Sequence, residues 1–497
     1  MANAPETTLA TSRGLGHRTV WRWHFYAGLF CIPFVLWLAT TGTIFLFKPQ
    51  IESFLDRPYA HLAIQQRASV NSQVQAALAA VPGATLDSYQ LPTSPTAAAQ
   101  ILVDKGAQQF RVYIHPGTLA VLKLDNEDHR IENVVKKLHG ELFIGDVGSW
   151  IVELAACWAV VMILTGLYLW WPRDAKGIAG ILYPRLHGGQ RIFWRDIHAV
   201  TGVYISAFAL FLLFTGLPWA KSWGSYLKAA RHAYAGMAVH QDWTTSSSEA
   251  VAARLARTTP QDVSGMSTMH DMADMPGMSG SHHMEGMPGM STTNPAKPVK
   301  RWGRHASALT GPDAFIAIDK MVASIQPLGL AYPVLVSPPA SAGGKWTAKS
   351  DSQNRQLDVD LTLDPATGAI LTRTGFASKP LLDRIIGTGV AAHEGALFGI
   401  LNQLLALVTT TGLILLSLSG LVMWRRRKPD GVLGAPVAIR RIRFSYGLLI
   451  LLVALGTYFP FLGISMILVA ITEKFILRRI PAIANWLGLQ GYNPSVA

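Results

Sequence analysis

The sequence predicts an α-helical membrane protein: four long transmembrane helices and a C-terminal helical hairpin, with two small α+β modules outside the membrane. Three observations carry this. Half of the 497 residues are hydrophobic and the mean hydropathy is positive, +0.27. The apolar residues gather into long runs at Phe25–Phe47, Trp150–Trp171, Ala199–Trp219, Leu397–Trp424 and Tyr446–Ile476. A span needs about 20 apolar residues, and Trp and Tyr cluster at the run ends as they do at headgroup boundaries. Finally, the chain repeats itself around four histidines. His24 and His198 are each followed 17 residues later by Thr-Gly (Thr41-Gly42, Thr215-Gly216), while His139 and His393 are followed 26 residues later by a small hydroxyl residue and Gly (Thr165-Gly166, Ser419-Gly420).

Read in order, residues 1–22 form a cytoplasmic N-terminus, and the spans cover 23–48, 138–172, 196–220 and 392–425, with the hairpin at 444–480 and a tail at 481–497. Lys and Arg set the orientation, because short cytoplasmic segments are rich in them. Arg13, Arg18 and Arg22 precede the first run, Arg173 to Arg195 fill 173–195, and Arg425 to Arg443 fill 426–443. Residues 49–137 and 221–391 are then outside. The last run is too long for one untilted span; a tight turn near Pro460 keeps both of its basic ends inside, with a single tilted span as the alternative. The net charge of +13 follows from these flanking residues, so no nucleic-acid partner is expected. No cleavable signal peptide is read in the first run. Cys31 and Cys157 both lie in apolar runs, which suits packing and excludes a disulfide framework.

Each outside region reads as one helix followed by strands. In the first, a helix at 70–81 precedes strands near Ala84–Leu91, Ala99–Val103, Phe110–His115 and Leu119–Leu124, the last two joined through His115 to Thr118. In the second, a helix at Asp313–Ile325 precedes strands near Leu330–Val336, Lys345–Ser350, Gln356–Leu363 and Ala369–Thr374, turning at Asp364 to Gly368. The second region also holds a Met/His-rich insertion at 262–292. It contains Met266, Met269, His270, Met272, Met275, Met278, His282, His283, Met284, Met287 and Met290 among Gly, Ser, Pro and Asp, too little apolar mass for a core. Thioethers select Cu(I), so this tract is a candidate copper site.

Topology pairs the histidines. His24 with His198 falls at the cytoplasmic ends, and His139 with His393 at the outer ends. Neutral imidazole is a good axial ligand for haem iron, and bundles build cofactor sites from facing helices. Two bis-histidine haem b groups, one per face, use all four. Seventeen residues at about 1.5 Å rise carry Thr41 and Thr215 roughly 25 Å along their helices, to the opposite face. There Thr41, Gly42, Thr215 and Gly216 are expected to leave room for the outer haem plane, and Thr165, Gly166, Ser419 and Gly420 for the inner one. Close helix packing accounts for the glycines but not for the repeated offsets. The other histidines, His115 in its turn among them, are expected to be solvated or structural. Glu141 and Glu394 are read as solvated carboxylates or as groups orienting an imidazole.

These residues resemble those of the PepSY-associated transmembrane proteins, which include bacterial inner-membrane ferrisiderophore reductases and related iron-uptake factors. The similarity lies in Trp23-His24, Leu138-His139 with Gly145, the run Thr165 to Pro172, Asp196 and His198 with Gly202, Ala392-His393 with Gly395 and Gly399, and the Asp364 to Gly368 turn. The resemblance covers residues 17–480. It implies that the four histidines ligate haem and that the outside modules are PepSY-like and periplasmic. It implies a dihaem inner-membrane reductase that delivers electrons to a ferrisiderophore or another oxidised metal chelate and releases Fe(II). The Met/His tract departs from the family and favours two alternatives: a Cu(II) reductase, or a non-enzymatic metal-binding membrane protein. The cytoplasmic segments are too short for a fused flavin reductase, so a separate cytoplasmic or quinol donor is expected.

Overall fold

The computed structural model describes residues 6–171, 177–235, 247–258, 315–339, 344–436 and 446–489. The Met/His tract, Arg173 and Arg440 to Arg443 lie outside these residues. The helices are α1 (Glu6–Leu46), α2 (Lys48–Leu55), α3 (Val70–Ala80), α4 (Ile131–Glu141), α5 (Asp146–Trp170), α6 (Gln190–Gly216), α7 (Lys221–Ala235), α8 (Ser247–Thr258), α9 (Ala317–Ile325), α10 (Leu381–His393), α11 (Ile400–Arg427), α12 (Tyr446–Tyr458), α13 (Pro460–Phe475) and α14 (Pro481–Trp486). The strands are β1 (Thr85–Gln90), β2 (Ala99–Lys105), β3 (Gln108–Ile114), β4 (Val121–Asn126), β5 (Val334–Ser337), β6 (Trp346–Ser350), β7 (Val359–Leu363) and β8 (Ile370–Gly375).

Five helical stretches are long and apolar enough to cross a membrane: His17–Leu46, Asp146–Trp170, Gln190–Trp219, Ile400–Arg427 and Pro460–Arg479. The first four form a bundle in which α1 packs on α5 and α11, and α6 on the same two. Large apolar side chains such as Trp37, Phe211 and Val408 remain exposed on its outside, as a lipid-facing surface requires. The last pair folds back on itself. A Cβ on Gly463 would lie 2.9 Å from the Gly456 carbonyl oxygen, whereas seven residues of straight helix would separate them by about 10 Å. The chain therefore reverses at Phe459 and Pro460, as the hairpin reading expects.

Two boundaries differ from expectation. The second and fourth spans begin at Asp146 and Ile400 rather than at 138 and 392. The histidines belong instead to separate helices, α4 and α10, each ended by a turn. Leu142, Phe143 and Gly145 take positive φ after the first, and Gly395 and Gly399 after the second. The segments that read as continuous membrane helix are thus helix–turn–helix corners, and the glycines supply backbone angles that L-residues rarely adopt. In addition, α2, α7 and α8 are helices that the sequence reading left unassigned.

The regions 49–137 and 221–391 also differ from expectation. They are not two free-standing modules: their strands form one eight-stranded antiparallel sheet in the order β4-β3-β2-β1-β5-β6-β7-β8. The halves join where Tyr89 pairs with Val336 and Gln90 with Leu335, and the Leu91 N–H donates to the Val334 carbonyl at 2.9 Å. Each half alone would leave its first strand as an open edge, and pairing the two edges satisfies both. Both helices cover one face of the sheet around a shared core of Val74, Ile101, Ile114, Met321, Val336 and Trp346. Asp319 on α9 also accepts the Val70 N–H at 2.6 Å and so caps α3 across the join. Trp346→Ala should therefore cost about 3–5 kcal/mol and speed amide exchange in β2 and β3 as well as in β6 to β8. Unchanged protection in β2 and β3 would show that the halves unfold separately.

Candidate functional site

The histidines gather at the two ends of the bundle, and each is held by the small-residue pair of a neighbouring helix. At one end, His24 on α1 directs Nδ1 to the Met162 carbonyl at 3.0 Å and the Thr165 hydroxyl at 3.2 Å on α5. His198 on α6 directs Nδ1 to the Leu416 carbonyl at 3.1 Å and the Ser419 hydroxyl at 3.0 Å on α11. At the other end, His139 on α4 lies 2.9 Å from the Thr41 hydroxyl of α1, and His393 on α10 lies 2.9 Å from the Thr215 hydroxyl of α6.

The glycine beside each hydroxyl makes room for the ring. A Cβ would approach the imidazole Cε1 to 3.0 Å at Gly166 (His24), 3.3 Å at Gly42 (His139), 3.4 Å at Gly216 (His393) and 3.5 Å at Gly420 (His198). The sequence reading placed these eight residues beside a haem plane. Their contacts here are with imidazole. The repeated offsets acquire a direct meaning: within each half, two antiparallel segments exchange a histidine for a Thr/Ser-Gly pair at both ends.

This geometry fixes the protonated nitrogen. A carbonyl can only accept, so Nδ1 carries the hydrogen in His24 and His198. The Thr41 and Thr215 hydroxyls donate to the Trp37 and Phe211 carbonyls at 2.8 and 2.7 Å, which leaves them as acceptors for Nδ1–H of His139 and His393. In every case Nε2 keeps its lone pair, and none of the four makes a hydrogen bond there among the described residues. The His24 and His198 ring centres lie 6.4 Å apart with planes 82° apart. At the other end His139 and His393 are both lowered to about 4, chiefly by burial, with the neighbouring His139 ring contributing at His393.

Of the neighbouring carboxylates, Glu141 serves the scaffold. Glu141 is buried and accepts the Ser247 N–H at 2.5 Å, so it caps α8 rather than orienting His139 or meeting solvent. Burial raises the Glu394 carboxyl, and nearby Arg355, Lys48 and Lys136 oppose that shift. His115 accepts the Gly117 and Thr118 N–H groups at 3.1 Å, and Asp364 takes the same part with Ala366 and Thr367, at 2.9 and 2.8 Å. Cys31 and Cys157 are buried and unbonded to each other. Among the described residues no three His, Cys, Asp or Glu side chains form a metal-binding group.

Of two further positioning residues, Glu153 escaped the sequence reading, and Asp196 entered it only through the family resemblance, with no role assigned. Glu153, inside the apolar run of α5, accepts the Ser222 and Trp223 N–H groups at 2.9 and 3.1 Å and so holds the start of α7. Asp196, fully buried two residues before His198, grips Arg185 through Nε at 2.7 Å and Nη2 at 3.0 Å. A lone carboxylate within or at the edge of an apolar run was the available signal.

In the ligand-free chain, nitrogen NMR at pH 5.5 should find His139 and His393 neutral with hydrogen on Nδ1, where an ordinary histidine (6.5) is mostly cationic. Because folding lowers both values, the unfolded chain takes up protons first, and stability should fall as pH drops from about 6.5 towards 4. Cationic rings at pH 5.5 would contradict the geometry.

The chain matches the family model of the PepSY-associated TM region over residues 21–427. No curated protein matches it. The matched stretch takes in the four-helix bundle, the joined sheet and all four paired histidines, and the chain belongs to the PepSY-associated TM region family.

Proposed function

We propose that the protein is a dihaem reductase of the bacterial inner membrane. It would take electrons from a cytoplasmic or quinol donor and deliver them to a ferric chelate, a ferrisiderophore foremost, on the periplasmic side, releasing Fe(II). The observation that carries this reading is the common state of the four histidines: Nδ1 bound, Nε2 free, two at each end of one bundle. His24 with His198 would hold the inner group and His139 with His393 the outer one. A bound haem would supply one-electron chemistry at a potential set by the histidines that hold it, their hydrogen bonds and the exclusion of water.

The remaining work belongs to the chain. The hydroxyl and carbonyl acceptors fix each imidazole's tautomer and orientation, as outer partners do at metal sites. The glycines let the rings seat against a neighbouring helix backbone. About 25 Å separates the two ends along α1, from His24 to the Thr41 that holds His139. Basic residues at the His24 end, such as Arg18, Arg22, Arg191 and Arg426, support a cytoplasmic location for it. The eight-stranded sheet, read as a fused pair of PepSY-like modules, stands beside the outer pair, where an acceptor would dock.

Protein purified from haem-replete cells should show the sharp reduced absorption bands of bis-imidazole haem at two equivalents per chain. His24→Ala or His198→Ala should remove one equivalent, and His139→Ala or His393→Ala the other. A colourless protein, or full haem content in all four variants, would refute the assignment.

The Met/His tract favours copper as a second acceptor, with the eight methionines from Met266 to Met290 holding the Cu(I) product. Deleting residues 262–292 should then abolish copper tolerance and leave siderophore-iron use intact. The converse result would favour the iron reading alone.

A further inference from the structure

The link between α5 and α6 carries a turn fixed against the side of the bundle. The Trp170 indole N–H donates to the Ile181 carbonyl at 3.1 Å, and the Tyr204 hydroxyl to the Leu182 carbonyl at 2.9 Å. Asp196 accepts the Arg185 N–H at 3.1 Å as well as its guanidinium. The turn is thus tied to two membrane-crossing stretches, Asp146–Trp170 and Gln190–Trp219. Its outward side chains suit lipid better than water: Ile178, Leu182, Tyr183 and Leu186 are between 45% and 59% exposed. Single exposed apolar residues are ordinary, but four gathered in residues 178–186 make a patch that needs an explanation.

Its place in the fold names the occupant. Tyr204, Phe208 and Phe211 recur at helical spacing on α6 and stay exposed, as a lipid-facing stripe does. Tyr204 begins that stripe and holds the turn. A helical side chain leans towards the N-terminus, so the turn meets α6 between His198 and Tyr204, a stretch of about 9 Å. The apolar part of α6 starts at Ala199, just past Arg191 and Arg195, which makes this level the edge of the membrane. We propose that residues 178–186 lie in the membrane interface, with Ile178, Leu182, Tyr183 and Leu186 inserted among acyl chains beside the headgroups. Apolar faces of interfacial segments sink by about 5–10 Å. A soluble protein partner fits less well, because the patch adjoins the lipid-facing stripe at the same depth. The turn then sets the depth of α6 and places the His24–His198 end at headgroup level. None of this depends on haem.

Fluorescence of the full chain in phospholipid nanodiscs tests it, since both faces of the bilayer stay open to solvent. Cys31 and Cys157 are buried, so a thiol-reactive fluorophore reports on a cysteine introduced by Leu182→Cys or Leu186→Cys. Ala79→Cys, at an exposed position on α3, supplies the aqueous reference. Both turn probes should be quenched by a spin label near the headgroup end of the acyl chain and more weakly by one at the chain terminus. Iodide should quench them several-fold less than the Ala79→Cys probe. Leu186→Cys carries the test if Leu182→Cys fails to fold. Iodide quenching equal to the reference, without quenching by spin-labelled lipid, would overturn the proposal and leave the patch to a soluble partner. Strongest quenching by the chain-terminal label would overturn the assigned depth.

Discussion

Everything at the two ends of this bundle depends on the contact between an imidazole Nδ1–H and a hydroxyl on the neighbouring helix, with a glycine beneath the ring. A histidine buried among apolar side chains is favourable only when neutral and hydrogen-bonded. Here the acceptor is a Thr or Ser hydroxyl already turned towards its own helix backbone, so its remaining capacity points at the ring. The arrangement occupies Nδ1 and leaves Nε2, on the far side of the ring, without a partner among the described residues. Four histidines in one chain reach that state by the same means.

The same contact explains the duplicated architecture. Within each half, the histidine of the long first helix meets the hydroxyl-glycine pair of the second, and the histidine before the second meets the pair at the far end of the first. Each half is thus an antiparallel unit fastened at both ends. The halves then meet through α1 with α11 and α5 with α6, which brings His24 to His198. Outside the bundle the joined sheet repeats this logic: two similar halves, each with one unsatisfied edge, close on each other and share a core. Between sheet and bundle lie α4 and α10. They carry His139 and His393 on short helices whose left-handed turns let the ring approach the bundle from the side.

Much of this was legible in the sequence. Each of the five apolar runs holds a helical stretch long and apolar enough to cross a membrane, and the last run reverses at Pro460. The strands fell within a few residues of their expected places, since alternation and turn residues are local signals. The pairing of histidines by face was readable because their offsets repeat. Other features were hidden for physical reasons. The segment around Leu142 to Gly145 is apolar enough to read as helix, and only its backbone angles reveal a corner. Glu141 and Glu153 each cap a helix distant in sequence, so nothing beside them shows what they accept.

The linear sequence, through hydropathy, repeat spacing and residue type, determined a duplicated membrane bundle with two histidines at each end, because span length and helical rise are properties of the chain itself. Tertiary structure alone decided that the small-residue pairs seat imidazoles, that the outside strands form one sheet, and that Nε2 is the nitrogen left free. Those outcomes depend on which groups face each other across separate segments, and hydrogen-bond satisfaction between segments is written in no single stretch of sequence.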